Sequence, residues 1–168
     1  MKRSRTLLLA LTISLLVVLL MSTTVSGAGR RSFRAIPTGA GEVPPVDTDA
    51  IGKAIFHLNK DDSALRYRLV VGKIENIVQA HIHCGAEGVN GPVVAFLFGP
   101  VPGGVTVSGI LAEGTITNAQ IIPREPSDAC PDGVANFAEL LERINSGQAY
   151  VNVHTTANPG GEIRGPMQ

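Results

Sequence analysis

The sequence predicts an all-β domain, an antiparallel β-sandwich or open barrel with one short α-helix near its C-terminal third. Two observations predict this class. The 19 glycines and 11 prolines fall between short apolar runs rather than in one linker, which is typical of many short strands separated by turns. Only residues 136–146 show the apolar spacing of a helix. The chain is long enough for one domain with its own core and too short for two of ordinary size.

The N-terminal segment has the order of a secretory signal peptide. Basic residues lie within positions 1–5, an uncharged apolar run covers 6–21, and small residues follow to position 28. The apolar run is shorter than the roughly 20 residues of a membrane span. We therefore expect residues 1–27 to be removed and residues 28–168 to form the β domain, with no membrane span left after cleavage. The mature protein is expected outside the cytoplasm, either secreted or in the periplasm or cell envelope.

The charge of the expected mature chain argues against a nucleic-acid partner. Removal of Lys2, Arg3 and Arg5 lowers the number of basic residues from 14 to 11 and leaves the 14 acidic residues unchanged. Nucleic-acid-binding domains usually carry a basic patch. The sequence shows one basic cluster, at residues 30–34, where a solvated tail is expected. We therefore predict no nucleic-acid partner.

The first half of the domain predicts a series of strands. Residues 52–59 predict a strand that ends at a polar turn, and residues 65–71 alternate with period 2, so together they predict a hairpin. The next strand is predicted over 76–84, with Ile82 on one face and His81 and His83 on the other. Residues 93–98 and 105–117 supply two further strands. Gly109 and Gly114 within the last of these are expected to mark bulges or corners.

One helix and two strands are predicted in the second half. Apolar residues within 136–146 follow the i, i+3, i+4, i+7 spacing of an amphipathic helix. Asn136 can cap the start of this helix with Glu139 reaching back, and Gly147 can end it in the left-handed conformation. Residues 148–155 and 161–167 predict the last two strands. In the first of them Tyr150, Asn152 and His154 share one face.

The two cysteines predict one disulfide. Cys84 ends the strand over 76–84, and Cys130 lies in a long proline-containing loop before the helix. In an exported chain two thiols meet an oxidising compartment, so a Cys84–Cys130 bond is expected. By the loop-entropy model such a bond contributes on the order of 4 kcal/mol. A free thiol and a metal ligand remain as alternatives for Cys84.

Three of the four histidines can converge. His81 and His83 are about 6.5 to 7 Å apart on one face of a strand, and His154 lies on a strand of similar composition. Three imidazoles can bind copper or zinc. Alternatively, the imidazoles hydrogen-bond to backbone carbonyls or to Asn152, Thr155 and Glu162 and hold loops in place. Both interpretations stay open at this stage. No cofactor is predicted under the second one.

Charged residues in the last strand extend this candidate site. Glu162 and Arg164 are two residues apart and share a face, and Glu42 can approach the same area. These residues form a structural ion pair, or alternatively Glu162 orients a metal-bound histidine by binding the second nitrogen of its ring.

The sequence shows no motif of phosphate binding or of nucleophilic catalysis. The glycine-containing loop over 85–91 does not match a phosphate-binding pattern, and we find no nucleophile elbow. No catalytic residue is predicted.

These segments resemble the CHRD domain, the repeat unit of chordin that also occurs singly in secreted microbial proteins. The matching pieces are residues 41–46, His81-Ile82-His83 with 88–94, and 150–155 with 158–165, and the resemblance covers roughly 33–168. It implies a non-enzymatic binding or interaction domain whose extracytoplasmic protein or ligand is unknown. The candidate binding residues are His81, His83, Asn152, His154, Glu162 and Arg164.

Two alternatives accompany this expectation. The first is a copper- or zinc-binding protein that handles metal or acts in redox chemistry through His81, His83 and His154. The second is a structural protein of the extracellular matrix or cell surface.

Overall fold

Two antiparallel sheets form the domain. The computed structural model describes residues 30–168, so the predicted signal peptide over 1–27 lies outside the described residues. In chain order the elements are β1 (Ser32–Ala35), β2 (Ile51–Leu58), β3 (Leu65–Gly72), β4 (Ile77–Cys84), β5 (Val93–Phe98), β6 (Gly109–Ile116), α1 (Phe137–Asn145), β7 (Ala149–Thr155) and β8 (Ile163–Pro166).

The sheets are open, so the sandwich is the correct one of the two predicted architectures. The first sheet has the order β1-β2-β3-β6 and the second has the order β5-β4-β7-β8. The two middle strands of the second sheet, β4 and β7, pair antiparallel and place His81 opposite Asn152 and His83 opposite Tyr150. This pairing brings the two histidine-bearing segments together.

The hydrophobic core lies between the sheets. Phe56 and Leu69 from the first sheet and Ile82, Val151 and Ile163 from the second are fully buried there. The alternation along β4 and β7 sends every second side chain into this core and the others to the outer face of the second sheet. The core therefore sets the direction of the histidines.

The helix begins and ends where the sequence predicts. The side chain of Asn136 accepts a hydrogen bond from the backbone N–H of Glu139 at 3.1 Å. The Glu139 carboxylate in turn accepts from the backbone N–H of Ala135 at 2.6 Å. Gly147 follows the helix with φ of 72°, a left-handed conformation that glycine adopts without steric cost. Leu140 and Ile144 on the buried face of α1 pack into the core.

The predicted disulfide is present. Cys84 and Cys130 are bonded, with 5.6 Å between their Cα atoms and a sequence separation of 46. Both residues are buried, and the bond ties the loop before α1 to the end of β4. The metal-ligand and free-thiol alternatives for Cys84 are therefore excluded.

Two features differ from the sequence-based expectation. Strand β1 was not predicted, since the segment 32–35 is short and overlaps the basic cluster at residues 30–34. It pairs with β2 alone and is an edge strand. Strand β6 is shorter than the predicted strand over 105–117, because it begins at Gly109, whose φ is 130°. The β3–β6 register also shifts between Leu69 and Val70, so a bulge lies in this pair at Leu111, between Gly109 and Gly114 rather than at either glycine.

Within residues 30–168, no helix is both long enough and apolar enough to span a membrane.

Candidate metal centre

The three histidines lie together on the outer face of the second sheet. His81 and His83 project from β4, and His154 projects from the neighbouring strand β7. One candidate ligand atom from each residue can be chosen so that all three atoms lie within 4.8 Å of one another. The predicted convergence is thus confirmed as geometry.

Loops cover this outer face, so its polar side chains are buried. His81, His83 and His154 are only 2%, 8% and 6% exposed. One covering loop carries Gly91, and another carries Pro159. Phe96 of β5 packs edge-on against His81, with 4.4 Å between ring centroids, and is itself 40% exposed. The partly exposed ring of Phe96 therefore covers His81.

Backbone carbonyls fix two of the imidazoles. Nδ1 of His83 lies 2.8 Å from the Gly91 carbonyl oxygen, and Nδ1 of His154 lies 2.9 Å from the Pro159 carbonyl oxygen. A carbonyl oxygen only accepts, so in both residues Nδ1 carries the proton and donates. The lone pair of each ring is consequently on Nε2. This is the arrangement that orients histidine ligands in metal sites.

The third imidazole completes the pattern. Nδ1 of His81 lies 3.1 Å from Nε2 of His154. Because that Nε2 has the lone pair, His81 donates through Nδ1, and its own Nε2 has the lone pair. Within the described part of the chain, Nε2 of His81 and Nε2 of His83 are buried without a hydrogen-bond partner. Buried polar atoms without partners are rare and costly, and both of these atoms are potential ligands.

The cluster is slightly too open for an ion at its present size. Zinc–imidazole bonds are about 2.0 to 2.1 Å, so two nitrogens on one ion are at most about 4.2 Å apart. The 4.8 Å spread exceeds this limit. Binding of an ion therefore requires the imidazoles to move inward by about half an ångström or more, and it replaces the hydrogen bond between His81 and His154.

Burial keeps these imidazoles neutral. Burial is the largest cause that lowers the pKa of His81 to about 3, and repulsion from His154 and His83 contributes to the same shift. Burial also lowers the pKa of His83 to about 4, although the hydrogen bond to Gly91 opposes this shift. The pKa of His154 is lowered by burial as well. At neutral pH all three rings therefore carry no charge, and the Nε2 lone pairs of His81 and His83 are free, whereas that of His154 accepts the hydrogen bond from His81.

An aromatic and cationic stack lies beside His83. The ring of Tyr150 stacks on His83 at 4.8 Å between centroids and 11° between planes. The guanidinium carbon of Arg164 lies 3.5 Å from the centroid of the same Tyr150 ring. Tyr150 was placed on this face by the period of β7, but the stack was not predicted, because it depends on the register of β4, β7 and β8.

Asn152 and Glu42 form a second buried contact on this face. The Asn152 amide donates to Oε1 of Glu42 at 2.6 Å. Burial raises the pKa of Glu42 to about 7, against the lowering effects of Asn152 and Arg164. Gly161, with φ of 130°, passes so close that an added Cβ would lie 2.6 Å from the same Glu42 oxygen. A larger residue at 161 would displace this carboxyl.

Glu162 does not have either of its predicted roles. Its carboxylate accepts hydrogen bonds from Thr48 at 2.9 Å and Thr155 at 2.7 Å. The ion pairs found among residues 30–168 do not join Glu162 with Arg164. The second nitrogens of His83 and His154 are held by carbonyls instead. Glu162 directly precedes β8, and its carboxylate links Thr155 at the end of β7 to the chain around Thr48.

A family model describes nearly all of this chain. The model of the CHRD domain matches residues 33–167. The chain belongs to the CHRD domain family. No curated protein and no solved structure matches it. In this CHRD domain the histidine-bearing strands β4 and β7 both lie inside the matched range, as do the carbonyls of Gly91 and Pro159. The family membership confirms the resemblance seen in the sequence and suggests a binding or interaction module.

Proposed function

We propose that this CHRD domain is an exported metal-binding protein that holds one copper or zinc ion on His81, His83 and His154. The observation that carries the proposal is the convergence of three neutral, buried imidazoles whose nitrogens lie within 4.8 Å. Two of them have Nδ1 held by a carbonyl. Such a set supplies the donor type that both metals accept in proteins.

The tautomers support this role over a purely structural one. A structural histidine on a sheet satisfies both ring nitrogens, whereas Nε2 of His81 and Nε2 of His83 have no partner among residues 30–168. An ion between the rings would use the lone pair of His83 directly. The ion would also use the lone pair of His154, so that His81 loses its hydrogen-bond acceptor. His81 can then offer a lone pair to the ion, either by rotating its ring or by moving its proton from Nδ1 to Nε2.

Export is part of the proposal. It rests on the signal-peptide pattern over residues 1–27 and on the Cys84–Cys130 disulfide, since disulfides persist in oxidising compartments. We propose that residues 28–168 are the mature protein.

Metal analysis of the purified domain tests the proposed function. The domain is stripped with a chelator, incubated with Cu²⁺, with Zn²⁺, and with copper plus ascorbate, and desalted; bound metal is measured by mass spectrometry. We expect about one ion per chain. The H81A/H83A/H154A variant should bind none, and H57A, which changes an exposed histidine on the other sheet, should bind as the wild type does. Absence of stoichiometric metal under all three conditions would overturn the proposed function.

A second candidate function is interaction with an acidic protein through the outer face of the first sheet. The strand register brings four exposed basic residues, which are scattered in the sequence, to three neighbouring strands of this face: Arg34, Lys53, Arg66 and Arg68. Glu113 is the acidic residue opposite Arg68. A face of this charge in an otherwise acidic domain is complementary to an acidic surface.

Charge reversal tests this second candidate. Native envelope proteins are immobilised, and retention of wild-type domain is compared with that of K53E/R66E/R68E between about 50 and 300 mM salt. Retention that falls with salt and is lost in the variant supports an acidic partner. Equal retention of both proteins rejects it. Concentration-dependent self-association in sedimentation experiments would instead favour the structural role in a matrix or at the cell surface.

A further inference from the structure

The charge around the histidine cluster is positive. Arg164 is 3% exposed, and its hydrogen bonds go to neutral acceptors: Oδ1 of Asn90 at 2.9 Å and the carbonyls of Val89 at 2.6 Å and Ala86 at 3.3 Å. No carboxylate among residues 30–168 forms an ion pair with it. The buried Glu42 carboxyl on the same face interacts with this guanidinium through charge, but burial raises its pKa to about 7, so near neutral pH it offsets the positive charge only in part. The remaining charge lies in a poorly hydrated region, where charges act over longer distances than in water.

This charge is close to the candidate ligands. Tyr150 contacts both partners, with the guanidinium carbon 3.5 Å from its centroid and the His83 ring centroid 4.8 Å from it. The guanidinium carbon is consequently within about 8 Å of the His83 ring. A second guanidinium, that of half-buried Arg124, donates to the carbonyl of Val93 at 2.7 Å, and Val93 pairs with His83 across β4 and β5.

The ligand set has no charge to offset these cations. The cluster contains three imidazoles, and no other His, Cys, Asp or Glu of the described chain joins it. A divalent ion bound there would keep both charges beside Arg164 and Arg124. Zinc completes its four ligands with water in three-histidine sites, so the number of ligands does not by itself exclude zinc. A monovalent ion that accepts three nitrogen ligands meets less repulsion from the two guanidinium groups.

We propose that the site selects Cu⁺ over Cu²⁺ and Zn²⁺. The inference rests on the proposed function, since it concerns the same three histidines. The mechanism of selection is the pair of guanidinium charges together with a neutral, three-membered ligand set. A unit charge on the order of 10 Å away, at an effective dielectric constant of about 20, changes the relative binding of a divalent and a monovalent ion by roughly tenfold. Each guanidinium therefore supplies roughly a tenfold preference.

Competition titrations measure this preference. Cu⁺ is titrated under anaerobic conditions with ascorbate against bathocuproine disulfonate, and Cu²⁺ and Zn²⁺ are titrated against chromophoric chelators of known affinity. The variants are R164Q, which removes the charge, and R164K, which keeps it. We expect wild type and R164K to bind Cu⁺ at least tenfold more tightly than either divalent ion. In R164Q the ratio of Cu⁺ to Zn²⁺ affinity should fall roughly tenfold.

The outcomes separate the two proposals. If none of the three ions binds, the proposed function fails. If Zn²⁺ or Cu²⁺ binds as tightly as Cu⁺ or more tightly, the proposed function stands and the selectivity for Cu⁺ is overturned. If R164Q keeps the wild-type ratio, the guanidinium is not the origin of selectivity. Far-ultraviolet circular dichroism verifies the fold of each variant. If R164Q fails to fold, R124Q takes its place, because Arg124 is less buried, and the same change in ratio is expected.

Discussion

Removal of the disulfide is expected to weaken the domain by about 4 kcal/mol. The bond closes a loop with a sequence separation of 46, and in the loop-entropy model a closure of this length restricts the unfolded chain by about that amount at 25 °C. Globular domains have a free energy of unfolding of about 5 to 15 kcal/mol, so the bond supplies a large share. The appropriate variant is C84A/C130A, because both positions are buried and serine would bury two hydroxyl groups.

Equilibrium unfolding of the metal-free protein in guanidinium chloride measures this effect. We expect the free energy of unfolding of C84A/C130A to be about 3 to 4 kcal/mol lower than that of the wild type, with a larger denaturant slope because the uncrosslinked chain expands more. Reducing agent should bring the wild type to the value of the variant and leave the variant unchanged. A difference below about 1 kcal/mol, with the bond shown by mass spectrometry to be intact in the wild type, would refute the reasoning.

Three further predictions concern titration and capping. The free energy of unfolding of the metal-free domain should fall as the pH drops from about 6.5 toward 4, by up to about 1.4 kcal/mol per pH unit for each histidine. The reason is that the pKa values of His81 and His83 are about 3 and 4 in the folded domain, so the unfolded chain binds more protons in this range. Denaturation midpoints measured across this pH range test the prediction, and a flat profile contradicts it. Glu42 acts in the opposite direction, since its pKa of about 7 costs stability as pH rises from 4.5 to 7. E42Q should therefore gain about 1 to 3 kcal/mol at pH 8 and almost nothing at pH 4 in the same assay; an equal gain at both pH values would exclude titration as its cause. N136A should lose about 1 kcal/mol through the missing helix cap, while N136D keeps the wild-type value in thermal unfolding.

Local patterns predicted most of the fold. Period-2 alternation located β3 and β4, and the helix signal at Asn136 and Gly147 placed α1 to within one residue at each end. These features depend on neighbours in sequence. The length of β6 and the presence of β1 depend on pairing with strands that are distant in the chain. A single sequence does not show this pairing. The choice between sandwich and barrel also required the strand order.

The candidate site was predictable in part. The His-x-His spacing on a strand was sufficient to place His81 and His83 on one face, and the composition of β7 suggested His154 as the third member. The carbonyls of Gly91 and Pro159 could not be assigned in advance, because loop conformation determines which backbone oxygen reaches each ring. Glu162 was misassigned for a related reason, since its partner Thr48 is distant in the chain.

The position of the histidines in the central strands of a sheet has a consequence for when an ion can be taken up. His81 and His154 are separated by 73 residues in sequence and meet only when β4 has paired with β7. An unfolded chain therefore has no three-imidazole site, and an ion using all three rings has to be acquired in the compartment where the chain folds. If the proposed site binds an ion, free ion at 100 times its dissociation constant would add about 2.7 kcal/mol to the stability of the folded state once the sheet has formed. The supply of metal would then affect the lifetime of the folded protein as well as the occupancy of its site.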